Sequence, residues 1–404
     1  MSLVGAGIFS FSCFVGKWLT LVKKPCIHSS SNSSNHDSNN HSHLKTLEEI
    51  ISECPSLHRA YFPSLFFHNG HLQLIPFMIT GLYHLLVNPP FQWVMEEAIL
   101  EDGEIVNLAW VGEIPTFSET DEAPILMMHH GAFCDSGDIP GQSYIGEALK
   151  RGWKVCVWNR RGHLRKLTTP KWNFFGCTSD LRYIMKTYLH EKRPNARLLM
   201  LGVSAGSGLI ARYMGEQGLL LDGKRETMND DEYNTYLNQI GYCSAAVGMS
   251  PGYDIEKCFS RFSPPIANML LNKGKRFYIQ ENAELLKDCP GYKECLEAKD
   301  LQTWLDHSYG MAGFDSREEY FESTNPMRVV CHIKQPTLML NAADDPLCLI
   351  ENLEEQLHMF EAEHPVGVAV AVTETGSHCP FYEIGLTSWS ERVSFEFFDS
   401  ALAK

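Results

Sequence analysis

The sequence has no Cys-x-x-Cys pair among its 13 cysteines, so neither a zinc ribbon nor a thioredoxin-like site is supported. The thiols are scattered along the chain and read as mostly buried and reduced. Positive charge is scarce: 34 Lys and Arg stand against 49 Asp and Glu, a formal charge of -15 that repels a phosphate backbone and excludes nucleic acid as a ligand. No internal repeat is visible. What remains is ordinary globular material, 404 residues with 44% hydrophobic and 21% charged. That composition leaves core enough for one large domain or two smaller ones and rules out a disordered, collagenous or disulfide-scaffold protein.

Residues 3–22 are mostly apolar and end at Lys23-Lys24, a length that just crosses a bilayer. The charge follows the apolar run instead of preceding it, so an uncleaved membrane anchor fits better than a secretion signal, with a flexible leader as the alternative. On that reading the protein is membrane-associated through its N-terminus and otherwise cytoplasmic. The Ser/Asn/His tract at 29–43 cannot bury enough apolar area to offset backbone ordering and predicts a solvated linker. Its Asn32-Ser33-Ser34 and Asn40-His41-Ser42 are formal glycosylation sequons. Residues 1–45 are thus leader and linker, and 46–404 the folded domain.

Within that domain, 94–100 and 105–111 flank Asp102-Gly103, residues that accept the positive φ of a tight hairpin turn. Short apolar runs at 124–130, 154–158, 198–203, 243–249, 336–340 and 368–373 suit strands buried on both faces. Segments 143–151, 179–191, 206–218 and 350–361 suit the crossover helices between them. The alternation predicts an α/β fold, a mostly parallel central sheet with helices on both faces. The helix-rich stretch at about 253–325, with Pro264-Pro265, breaks the rhythm and reads as a helical cap insert.

Gly202-Val203-Ser204-Ala205-Gly206 is a G-x-S-x-G pentapeptide lying between an apolar strand and a helical segment, the setting of a nucleophile elbow. A serine hydroxyl needs a neighbouring base. His378, in Gly376-Ser377-His378 just past the last predicted strand, fits that role, with His358 and His364 as weaker rivals. The orienting carboxylate should lie between the two in chain order. Asp345 in Asn341-Ala342-Ala343-Asp344-Asp345-Pro346 is preferred over Asp344 and Asp254. Acyl transfer also needs two amides aimed at the oxyanion. Ala205 should supply one and Ala132, in His130-Gly131-Ala132, the other, with Phe133 as the fallback. His130 and Asp135 also make an H-x-x-x-x-D spacing, which reads as coincidence.

These segments together resemble family 4 of the α/β-hydrolases, the YheT-like and EMB8-like lipases and esterases. His68-Asn69-Gly70-His71-Leu72-Gln73 and Asn159-Arg160-Arg161-Gly162 add to the three catalytic segments, and the likeness runs from about Phe66 to the C-terminus. The chain departs from the family in Ser204-Ala205-Gly206-Ser207, in Cys379-Pro380-Phe381 after the histidine, and in an acidic stretch at 222–239. The resemblance implies an α/β-hydrolase fold and hydrolysis of carboxylic esters of lipids: medium-chain acyl esters, monoacylglycerol or phospholipid. It also implies that some members are tethered by an N-terminal hydrophobic segment. The chemistry needs no metal and no organic cofactor. Phe133, Trp172, Phe174 and Phe175 are candidates to line an acyl groove, Phe133 first among them, with ordinary core packing as the alternative. Two other outcomes stay open: the same triad passing its acyl group to an alcohol, and an inactive hydrolase fold serving as a scaffold. Oligomeric state is not legible.

Overall fold

The computed structural model describes residues 14–30, 45–86, 91–115, 122–137, 142–259, 265–361 and 367–403. The linker tract from 31, both sequons, His364 and residues 3–13 of the anchor candidate lie outside the described residues.

Nine strands form one sheet: β1 (Cys26–His28), β2 (Trp93–Ile99), β3 (Ile105–Val111), β4 (Ile125–His129), β5 (Lys154–Asn159), β6 (Leu198–Val203), β7 (Ala245–Met249), β8 (Thr337–Ala342) and β9 (Val368–Thr373). Their order is β1-β9-β8-β7-β6-β4-β5-β3-β2. Neighbours from β5 through β4 and β6 to β9 run parallel, while β2, β3 and β1 are antiparallel additions at the two edges. Strands β4, β6, β7 and β8 are buried at every position, which explains why their sequences are nearly continuous apolar runs. At the β2–β3 hairpin Gly103 adopts φ 85°, as the Asp-Gly pair predicts.

The helices that matter for the site are α1 (Gly70–Leu86), α2 (Gln142–Lys150), α3 (Ala205–Leu221), α4 (Pro265–Gly274), α5 (Leu301–Asp306) and α6 (Trp389–Leu402). Phe395, Phe398 and Trp389 of α6 join Ile145 of α2 in the core on one face of the sheet. Leu209, Ile210 and Met214 of α3 lie in the core on the other. A third cluster, built around Phe133, Trp172, Phe174 and Trp304, fills the space under α4 and α5. The helix expected at 350–361 is broken into Ile350–Glu354 and Leu357–Phe360, and the one expected at 179–191 continues from Ser179–Tyr183 into a π-helical turn, Ile184–His190. Strand β1 and helices α1 and α6 are additions to the elements read from sequence.

The described part of the anchor candidate is helical only at 14–19. Trp18 is buried there, its indole N–H donating to the Pro63 carbonyl at 3.0 Å. No helix among the described residues is long and apolar enough to cross a membrane.

Candidate active site

The carboxyl end of β6 turns sharply into α3 at Ser204, whose φ of 55° and ψ of -117° are held against the ordinary preference of a non-glycine residue. Two glycines permit the turn. A β-carbon on Gly206 would overlap the His129 carbonyl, and one on Gly202 would sit 2.7 Å from the main chain of Gly206. The Ser204 amide donates to the Met249 carbonyl at 2.8 Å, fixing the elbow to β7. The hydroxyl therefore stands at the amino end of a 17-residue helix, where the peptide dipoles favour negative charge.

The loop after β9 brings His378 to this hydroxyl. Nε2 lies 2.8 Å from Ser204 Oγ, while Nδ1 lies 3.0 Å from Asp345 Oδ2 and 3.2 Å from Oδ1. Asp345 is buried, and its Oδ1 also accepts from the Leu347 and Cys348 amides at 2.8 and 2.9 Å. Burial opposes the imidazolium of His378. The Asp345 carboxylate beside Nδ1 favours the imidazolium, the charge that His378 takes on when it receives the Ser204 proton. Burial pushes the Cys348 thiol up, so the carboxylate is the anion that acts at neutral pH. Asp345, Cys348 and His378 also bring one ligand atom each within 4.8 Å of one another, but the carboxylate and imidazole already bond each other.

The neighbouring carboxylate has a different task. Asp344 accepts from the Gly70 amide at 2.8 Å, the Thr375 hydroxyl at 2.6 Å and the Gly376 amide at 2.8 Å, so it ties the start of α1 to the loop that carries His378. Asp254 is bonded by Asn325 at 2.8 Å and His358 is exposed on its short helix, so neither belongs to the constellation. His130 is fully buried, with Nδ1 2.9 Å from the Gly131 carbonyl, and burial together with Arg160 holds it neutral. Its Nε2 accepts from the Arg160 amide at 3.4 Å, so both ring nitrogens are engaged by the main chain and the H-x-x-x-x-D spacing has no free base.

Ser204 opens on a narrow cavity of about 20 Å³. Ala132, Phe133 and Ala205 line it beside the hydroxyl, and Phe174, Phe175 and Leu305 line it further on. Phe133 has φ 57°, a left-handed turn immediately after Ala132. Its ring packs on Phe174 at 4.6 Å and Trp304 at 5.4 Å. Trp172 is a correction to the groove expected from sequence. It is fully buried behind the lining, 5.4 Å from Trp304, and belongs to the core.

One residue of the site was not legible as such. Arg160 is 1% exposed, and its guanidinium donates to the His130 carbonyl at 2.9 Å and the Gly131 carbonyl at 3.0 Å. Among the described residues no carboxylate is bonded to it, and burial lowers its pKa to about 10. It grips the two peptides that precede Ala132 and places a cation behind the loop. The adjacent Arg161 is structural: it bridges Asp180 at 2.7 Å and Asp102 at 2.6 Å, pinning the β2–β3 turn to the crossover helix.

No family model matches the chain. It is 24% identical over 373 residues to the human protein "Monoacylglycerol lipase ABHD2", covering 86% of this chain and 81% of that one. To mouse "Phospholipase ABHD3" it is 23% identical over 346 residues, covering 83% and 76%. A Saccharomyces cerevisiae "Monoacylglycerol lipase" is 25% identical over 242 residues, 58% of this chain, and the match spans only half of that relative's length.

Proposed function

We propose that the chain, which has an α/β-hydrolase fold, is a serine enzyme of family 4 that cleaves carboxylic esters of lipids. The observation that carries the proposal is the unbroken relay from Asp345 through His378 to Ser204, with both links at 3.0 Å or less. In this reading His378 Nε2 takes the Ser204 proton as Oγ attacks the ester carbonyl, then gives it to the departing alcohol. Asp345 holds the imidazole in the tautomer that leaves Nε2 free. The amides of Ala205 and Ala132 receive the oxyanion, helped by the dipole of α3. Water then attacks the acyl-enzyme by the same relay in reverse. The lining around Phe133 is aromatic and aliphatic with the serine as its polar end, a chemistry that suits the aliphatic part of a lipid ester. Relatives named for monoacylglycerol and phospholipid hydrolysis support lipid esters as the substrate class.

A fluorophosphonate probe should label the parent protein and fail to label Ser204→Ala, and an ester series of increasing chain length should lose turnover across its whole range in the same variant. Labelling that persists in Ser204→Ala, or is missing from the parent, would overturn the assignment.

A further inference from the structure

Helix α1 carries Ile75, Met78, Ile79 and Leu82 on one stripe, spaced i, i+3, i+4 and i+7, and the stripe faces water. The four are 44, 61, 64 and 56% exposed. A surface helix ordinarily turns such a stripe to the core, so an exposed one calls for a partner. The apolar surface continues beyond the helix. Phe66, 75% exposed, precedes it; Leu19, 55% exposed, follows the tryptophan bonded to Pro63. Ile384, 57% exposed, donates its amide to the Phe62 carbonyl. These contacts bring the segments around Trp18, Phe62 to Phe66 and Ile384 together just ahead of the helix, which distinguishes their exposed apolar residues from scattered ones.

Charge sets the same face apart. In a chain of net charge -15, no Asp or Glu occurs between Glu53 and Glu96, and none precedes Asp37. The charged residues contributed by these stretches are basic, and Lys17, Lys23, Lys24 and Arg59 are exposed. Lys23 borrows a partner from elsewhere, Glu374 at 2.9 Å. An apolar stripe beside lysines suits an interfacial helix on an anionic bilayer: the stripe enters the headgroup and acyl boundary while the cations meet phosphates. Across a two-fold interface between copies, the same lysines would confront each other. The face also adjoins the reaction centre, since Gly70 at the start of α1 bonds Asp344 and accepts from Ser377, the residue before His378.

We infer that this face is a docking surface for an anionic phospholipid bilayer. The inference deepens the lipid-ester reading and rests on it for the substrate, whereas the face itself is independent of the chemistry. The full-length protein is sedimented with phosphatidylcholine vesicles, with and without phosphatidylserine, beside the variants Ile79→Glu/Leu82→Glu and Lys17→Glu/Lys24→Glu. The parent should bind, more so with phosphatidylserine and less so in salt. The helix variant should lose binding by about tenfold or more, and the lysine variant should lose the preference for phosphatidylserine. Fluorophosphonate labelling and hydrolysis of soluble p-nitrophenyl butyrate should be unchanged in both. Undiminished binding of the helix variant, no binding by the parent, or a parent dimer that these substitutions dissociate in sedimentation velocity would each overturn the docking proposal. Loss of labelling in the parent with vesicle binding intact would overturn the hydrolase reading instead.

Discussion

At the scale of the residue, Arg160 shows how a buried charge can serve a site that it does not line. A guanidinium kept from water is costly, and here its two prongs bond the His130 and Gly131 carbonyls, which on the proposed reading aims the Ala132 amide at the oxyanion before any substrate arrives. Arg160→Met should lower kcat by about tenfold or more while KM moves little. Arg160→Lys, which keeps the charge but not the fork, should recover part of the loss. Steady-state kinetics with a soluble ester check this, and a matched rise in KM would point to a general loosening of the pocket. Sequence could not single Arg160 out, because it stands next to Arg161 in one motif and only coordinates separate a clamp on acids from a clamp on carbonyls. Asp344 and Asp345 posed the same kind of question, and there placement beyond the strand end favoured the residue that faces His378. The backbone donors stay silent in any sequence, which is why Ala132 and Phe133 could be ordered only by position.

At the scale of the element, α3 is held so close to its neighbours that its glycines act as contacts. A β-carbon on Gly218 would overlap the His332 carbonyl in the short 3-10 turn Val330–His332. Gly218→Ala should therefore destabilise the protein by about 1–3 kcal/mol, read as a lower denaturant midpoint with the slope preserved. An unchanged midpoint would mean that the turn yields freely. Elements were legible where one periodicity ruled. The buried strands announced themselves as apolar runs, and 105–111, 198–203 and 368–373 coincide with β3, β6 and β9. Helix α1 escaped because Pro76 sits inside it and its sequence is apolar nearly all round, which hides the stripe. Strand β1, three residues long, carries too little pattern to read, and in α6 the aromatic cluster of Phe395, Phe397 and Phe398 masks a helix whose start is capped by Ser388.

At the scale of the whole molecule, cohesion comes from burial. The 12 described cysteines form no disulfide with one another and most are buried, so the sheet and its three hydrophobic clusters stand without covalent cross-links among the described residues. The melting temperature should thus be the same with and without dithiothreitol. A fall of more than about 2–4 °C, equivalent to roughly 1 kcal/mol in a domain of this size, would reveal a disulfide. The global plan was the most legible part of the sequence, because alternation of strand and helix leaves few topologies to choose from. Its charge map was less so, since a net value averages away the acid-free stretches before Asp37 and between Glu53 and Glu96. The hook at Asp344 couples these levels. One carboxylate fastens both the first residue of α1 and the strap bearing the histidine, so whatever tilts the molecule's landing gear also tugs on its proton carrier.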